Sequence, residues 1–130
     1  MASDPLQMRT DLRRVRYLGS ARSGTTGSAH MRLTSLALVP LTVGFVWLVL
    51  SLIGKPYEAA LHTLSQPVAA IFLLLFILAS VYHMQLGMRT IIEDYVHGEH
   101  AKDWSLAASL FFCFVVGIAC VYAVMRLSFV

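Results

Sequence analysis

Three stretches of this chain, residues 33–53, 68–88 and 104–125, run without a single Asp, Glu, Lys or Arg. Crossing the roughly 30 Å hydrocarbon core of a bilayer takes about 20 apolar residues in a helix, and each stretch meets that length. Lipid offers backbone amides no hydrogen-bond partner, so a spanning segment of this kind has to be helical. The sequence therefore predicts an all-α membrane protein with three transmembrane helices. Composition agrees: 58% of residues are hydrophobic and 13% charged, whereas a soluble domain carries about 25% charged residues.

The distribution of charge sets the orientation. Arg9, Arg13, Arg14, Arg16, Arg22 and Arg32 precede the first stretch, Lys55 lies between the first and second, Arg89 and Lys102 between the second and third, and Arg126 follows the third. With three spans, the N-terminus and the second connection share one side. That side holds eight of the ten basic residues, which predicts a cytoplasmic (or matrix) N-terminus and a C-terminus on the far, periplasmic side. Arginines beside a membrane span are topology signals and contacts for lipid headgroups, so nucleic acid is not expected as a partner.

The ends of the helices have their own signals. Residues 1–30 form a polar, Arg-rich arm, with 19–28 expected to be irregular. The arm lacks the apolar core of a secretory signal, and Asp4 and Asp11 count against a transit peptide. The three-helix anchor then occupies residues 31–130. Its first span, 33–53, contains Pro40, whose missing N–H neighbouring helices can tolerate, and ends at Gly54-Lys55-Pro56. Ser65 is expected to cap the second span, with Pro67 in its first turn. This helix covers 67–88 and extends beyond the hydrocarbon to about residue 96, where His97-Gly98 stops it. Asp103 is expected to cap the third span, 104–126, with Trp104 at the interface. Cys113 and Cys120 are seven residues apart on that span, roughly 10 Å along the axis and too far for a disulfide. Ser109, Cys113 and Gly117 make a stripe of small residues suited to close helix packing.

His83 is the residue that points most directly to chemistry. It lies within the second span, and ionisable side chains at such depth are costly and tend to be functional. Ala79, Ser80 and Gly87 share its helix face, leaving room for a flat group beside the ring. A neutral imidazole there can ligate haem iron or hydrogen-bond a neighbouring helix. No other histidine of the chain lies at its depth, so a second axial ligand would come from another polypeptide. Asp94, eleven residues on, returns to within about 20° of the same face, roughly 16 Å further along. Tyr95 beside it can donate a hydrogen bond or serve as an interfacial anchor, and Asp94 can hold a proton or simply be solvated. Arg32 opens the first span on the same side, as a topology anchor or as a partner for carboxylates.

Two segments carry a family resemblance. His83-Met-Gln-Leu-Gly87-Met-Arg-Thr-Ile-Ile-Glu-Asp94-Tyr95 resembles the His-x3-Gly-x6-Asp-Tyr segment of the small cytochrome-b membrane-anchor subunit of succinate dehydrogenase, complex II. Arg32-Leu-Thr-Ser-Leu-Ala-Leu-Val-Pro40 is similar to the opening of that subunit in alphaproteobacteria. The likeness covers most of residues 30–126. It implies a heteromeric helix bundle in the bacterial inner membrane, less readily the mitochondrial one. The implied partners are a larger cytochrome-b anchor subunit, an iron–sulfur subunit and a flavoprotein subunit. By the same resemblance His83 is an axial ligand of a haem b shared with the larger anchor, Arg32 lies near its propionates, Tyr95 hydrogen-bonds ubiquinone and Asp94 relays protons. The chain itself would be a non-catalytic subunit, supplying binding, orientation and electrostatics where electrons from succinate reach quinone. The alternatives are a fumarate reductase-type anchor that oxidises quinol, or a small helix-bundle transporter or scaffold subunit. A transporter would need more facing polar residues at mid-membrane than these spans contain.

Overall fold

A computed structural model describes residues 23–129, with side chains described from Thr26 to Phe129. The described chain is four helices: α1 (Ser23–Leu52), α2 (Tyr57–Ser65), α3 (Pro67–Tyr95) and α4 (Glu99–Ser128). α1, α3 and α4 are each long and apolar enough to cross a membrane. α3 is the central member, packed on α1 and on α4, and the short α2 touches α3 and α4.

α1 runs through Pro40 without a break and begins at Ser23, so residues 23–28 are helical where an irregular arm was expected. The more distal arm, residues 1–22, lies outside the described residues. Beyond Leu52, Gly54 adopts φ of 77°, a left-handed conformation that costs glycine nothing, and the Lys55 N–H bonds back to the Leu52 carbonyl at 3.2 Å.

The first connection contains α2. Its presence changes the expected cap: Ser65 is the last residue of α2 and its hydroxyl donates to the His62 carbonyl at 3.1 Å. The N-cap of α3 is instead Gln66, with extended backbone and no side-chain cap bond, followed by Pro67 at the first helical position, where a missing N–H costs nothing. α3 continues to Tyr95. Val96 closes it, donating its N–H to the Ile92 carbonyl at 3.0 Å. α4 then starts at Glu99 with Gly98 as N-cap, one turn earlier than the expected Asp103 cap. Asp103 is inside the helix and exposed. The reason lies in the turn: Lys102 donates from Nζ to the Glu93 carbonyl at 3.0 Å, satisfying an orphan carbonyl at the end of α3 and tying the first turn of α4 to it.

The small-residue stripe of α4 faces α3. Ser109 and Cys113 are buried, the Ser109 hydroxyl is 3.5 Å from Gln85 Oε1, and a Cβ on Gly117 would stand 3.4 Å from Val81 Cγ1. Both cysteines are free. Large apolar side chains such as Leu110, Phe111 and Phe114 on α4, and Leu36, Val43 and Trp47 on α1, are exposed. In water such faces would be untenable; in a bilayer they are the surface that lipid or another apolar helix covers.

Candidate functional site

Because three membrane-crossing helices alternate in direction, the start of α1, the end of α3 and the start of α4 meet at one end of the bundle. His30, Arg32, Arg89, Glu93, Asp94 and Lys102 are all there. A groove of about 1030 Å³ opens between α1 and α3, lined by His30, Met31 and Arg32 on one wall and Tyr82, Leu86 and Arg89 on the other. Arg89 is held along its own helix by Glu93, Nε to Oε1 at 2.7 Å. That pair is exposed and one turn apart, so it orders the wall more than it stabilises the fold.

His83 sits beside this groove, half-buried where α3 meets α1. Its Nδ1 is 2.9 Å from Thr34 Oγ1. The Thr34 hydroxyl also lies 2.9 Å from the His30 carbonyl and 3.0 Å from the Met31 carbonyl. The preceding residue of α3, Tyr82, reaches His30, its hydroxyl 2.8 Å from Nδ1. Two polar contacts therefore join α1 to α3 at this level, one through each of two consecutive α3 residues. One turn beyond His83, a Cβ placed on Gly87 would meet nothing within 4 Å, so the face of α3 beyond the histidine is open.

The residues expected to act together are placed as follows. Arg32 lines the groove; His83 does not, but it follows Tyr82, which does. Asp94 and Tyr95 are on the last turn of α3, both exposed, Tyr95 at 76%. Neither lines the groove. Because α3 is unbroken from His83 to Tyr95, the phenol is roughly 18 Å further along the axis. Sequence reasoning singled out neither Thr34 nor His30. The available signal was weak: a hydroxyl and two imidazoles among the few polar groups near one end of apolar helices, each needing a partner. Among the described residues no group of three or more His, Cys, Asp or Glu side chains is arranged to hold a metal ion. A metal held by the described residues would thus need ligands from elsewhere to complete its coordination.

The family described as succinate dehydrogenase/fumarate reductase transmembrane subunit matches residues 7–124. This chain belongs to that family. It is similar to the succinate dehydrogenase hydrophobic membrane anchor subunit of Paracoccus denitrificans, 34% identical over 111 residues, covering 85% of each chain. It is also similar to the subunit of the same name from Rickettsia bellii, 27% identical over 116 residues, covering 89% of this chain and 93% of that one. The Rickettsia conorii subunit is 28% identical over 116 residues. No solved structure matches. Family membership and the three apolar helices agree on a multi-pass membrane subunit, and no part of that conclusion depends on His83.

Proposed function

We propose that this chain is the small membrane anchor of a succinate:quinone oxidoreductase, holding a haem b together with a larger anchor subunit and forming part of the site that reduces ubiquinone. The observation that carries the proposal is the end-to-end likeness to a succinate dehydrogenase anchor over 85% of both chains, with His83 inside the middle span. The relatives' shared name favours succinate oxidation over the fumarate-reducing direction that the family also includes. In this reading the flavoprotein and iron–sulfur subunits dock on the Arg-rich, cytoplasmic side of a bacterial inner membrane, and the C-terminus is periplasmic.

The residues present fit a haem. His83 has Nδ1 engaged, and Nε2 has no hydrogen-bond partner among the described residues. The open space at Gly87 gives a flat macrocycle room against α3. Haem b, when bound, would supply a one-electron reservoir. The chain's own residues supply the rest. His83 offers a neutral nitrogen to iron, and Arg32 in the groove offers a guanidinium that can pair with propionate carboxylates. Tyr95, exposed at the end of α3, can donate its phenolic hydrogen to a quinone carbonyl, and Asp94 beside it can hold a proton on its carboxylate.

The test is a reduced-minus-oxidised visible spectrum of the purified complex, with wild-type and His83→Ala anchors. A b-type spectrum that disappears or changes in the variant is expected. An unchanged spectrum with unchanged haem content would remove His83 as a ligand.

A further inference from the structure

We infer that Thr34 is the positioning residue of His83: its oxygen accepts the Nδ1–H and thereby holds the ring in the tautomer whose Nε2 is free to bind a metal. This rests on the proposal that His83 is an axial ligand.

The assignment follows from counting hydrogens. Thr34 has one hydroxyl hydrogen, and its oxygen is within hydrogen-bond distance of three groups: the His30 carbonyl at 2.9 Å, the Met31 carbonyl at 3.0 Å and His83 Nδ1 at 2.9 Å. The two carbonyls can only accept. A helical threonine whose hydroxyl turns back to carbonyls three and four residues earlier has its hydrogen committed there. The lone pairs left on Oγ1 then face a ring nitrogen that must donate. Nδ1 carries the hydrogen, and in neutral imidazole Nε2 carries the lone pair. Ligating histidines ordinarily give their second ring N–H to such an acceptor, which fixes tautomer and ring plane and raises basicity.

Position adds to this. Thr34 is on α1 and His83 on α3, 49 residues apart, so the acceptor belongs to a different helix from the ring. The ring plane is then set by the packing of two helices rather than by rotation about its own side chain. Loss of the acceptor leaves the imidazole a weaker donor, which favours ferrous over ferric iron and raises the midpoint potential.

The experiment uses the assembled complex with Thr34→Val, Thr34→Ala and Thr34→Ser anchors, and His83→Ala in parallel. Valine keeps the shape of threonine without the hydroxyl; serine keeps the hydroxyl. Three properties are read: the low-spin ferric electron paramagnetic resonance signal, the haem midpoint potential, and haem retention on dilution. Valine and alanine are expected to move the signal, shift the potential upward and weaken haem retention by about 10-fold or more. Serine is expected to match wild type. Succinate oxidation with a soluble artificial acceptor should be unchanged in all three. Wild-type signal and potential in both Val and Ala variants, while His83→Ala loses the haem signal, would overturn the role of Thr34 alone. A serine variant that behaves like valine would overturn it too. A full haem signal in His83→Ala would overturn the ligand reading and this inference with it.

Discussion

Gly44 is expected to be the least replaceable small residue in the α1–α3 contact, and Gly44→Ala tests how tightly that contact is packed. A Cβ at Gly44 would stand 2.7 Å from Phe72 Cζ and 3.0 Å from Cε2. Carbon atoms rest near 3.5 Å, so the ring tip would have to retreat by about 0.8 Å. It has little freedom to do so. The adjacent residue of α1, Phe45, stacks on Phe76, one turn beyond Phe72, with centroids 4.6 Å apart and planes at 12°. Separating the helices to relieve Phe72 would loosen that stack, worth about 0.5–1.5 kcal/mol. Overpacking of this kind costs about 1–3 kcal/mol, and alanine regains roughly 0.5–1 kcal/mol over glycine in a helix. The net expectation is a loss of up to about 2.5 kcal/mol, centred near 1 kcal/mol, or roughly fivefold in the folded-to-unfolded ratio. Denaturation of the detergent-solubilised complex would measure it. Gly117→Ala is the control, because its Cβ would make an ordinary 3.4 Å contact with Val81, and it should be neutral or slightly stabilising. Adding Phe72→Leu to Gly44→Ala should recover part of the loss. If Gly44→Ala is as stable as Gly117→Ala, or if its cost is the same with leucine at position 72, the close approach of α1 and α3 at this point is not what the glycine is for.

Two further outcomes bear on the site and its orientation. Tyr95→Phe is expected to slow quinone reduction by several-fold to about a hundredfold, the range of one lost hydrogen bond at about 0.5–3 kcal/mol, while haem content and succinate oxidation by an artificial acceptor stay at wild-type levels; quinone kinetics identical to wild type would leave Tyr95 as an interfacial anchor only. Reporter fusions should place residue 1 in the cytoplasm and residue 130 in the periplasm, and a cytoplasmic signal from the C-terminal fusion would contradict the three-span orientation.

The number and position of the membrane-crossing helices were legible because the signal is local. A run of apolar residues without charge is a property of composition along the chain, and lipid admits only a helix for it. The stop at His97-Gly98, the turn at Gly54 and the small-residue stripe of α4 were readable for similar reasons: each depends on neighbours within a turn or two. His83 stood out from its depth alone. Where the helices start was less legible. Ser65 and Asp103 are good caps by chemistry, but α2 occupies the first and the Lys102 contact with Glu93 carries α4 one turn past the second.

Tertiary structure alone decided which faces meet. These helices are apolar on nearly every side, so no hydrophobic stripe marks the face that turns inward. Rotation about each axis is settled by small-residue packing and by the few polar groups that must find partners in a medium that offers none. That is why Gly44 lies under Phe72 and Gly117 against Val81, and why His83 meets Thr34 across 49 residues. The sequence determines that an imidazole lies within the second span; the crossing of α1 over α3 determines which of its nitrogens meets a partner.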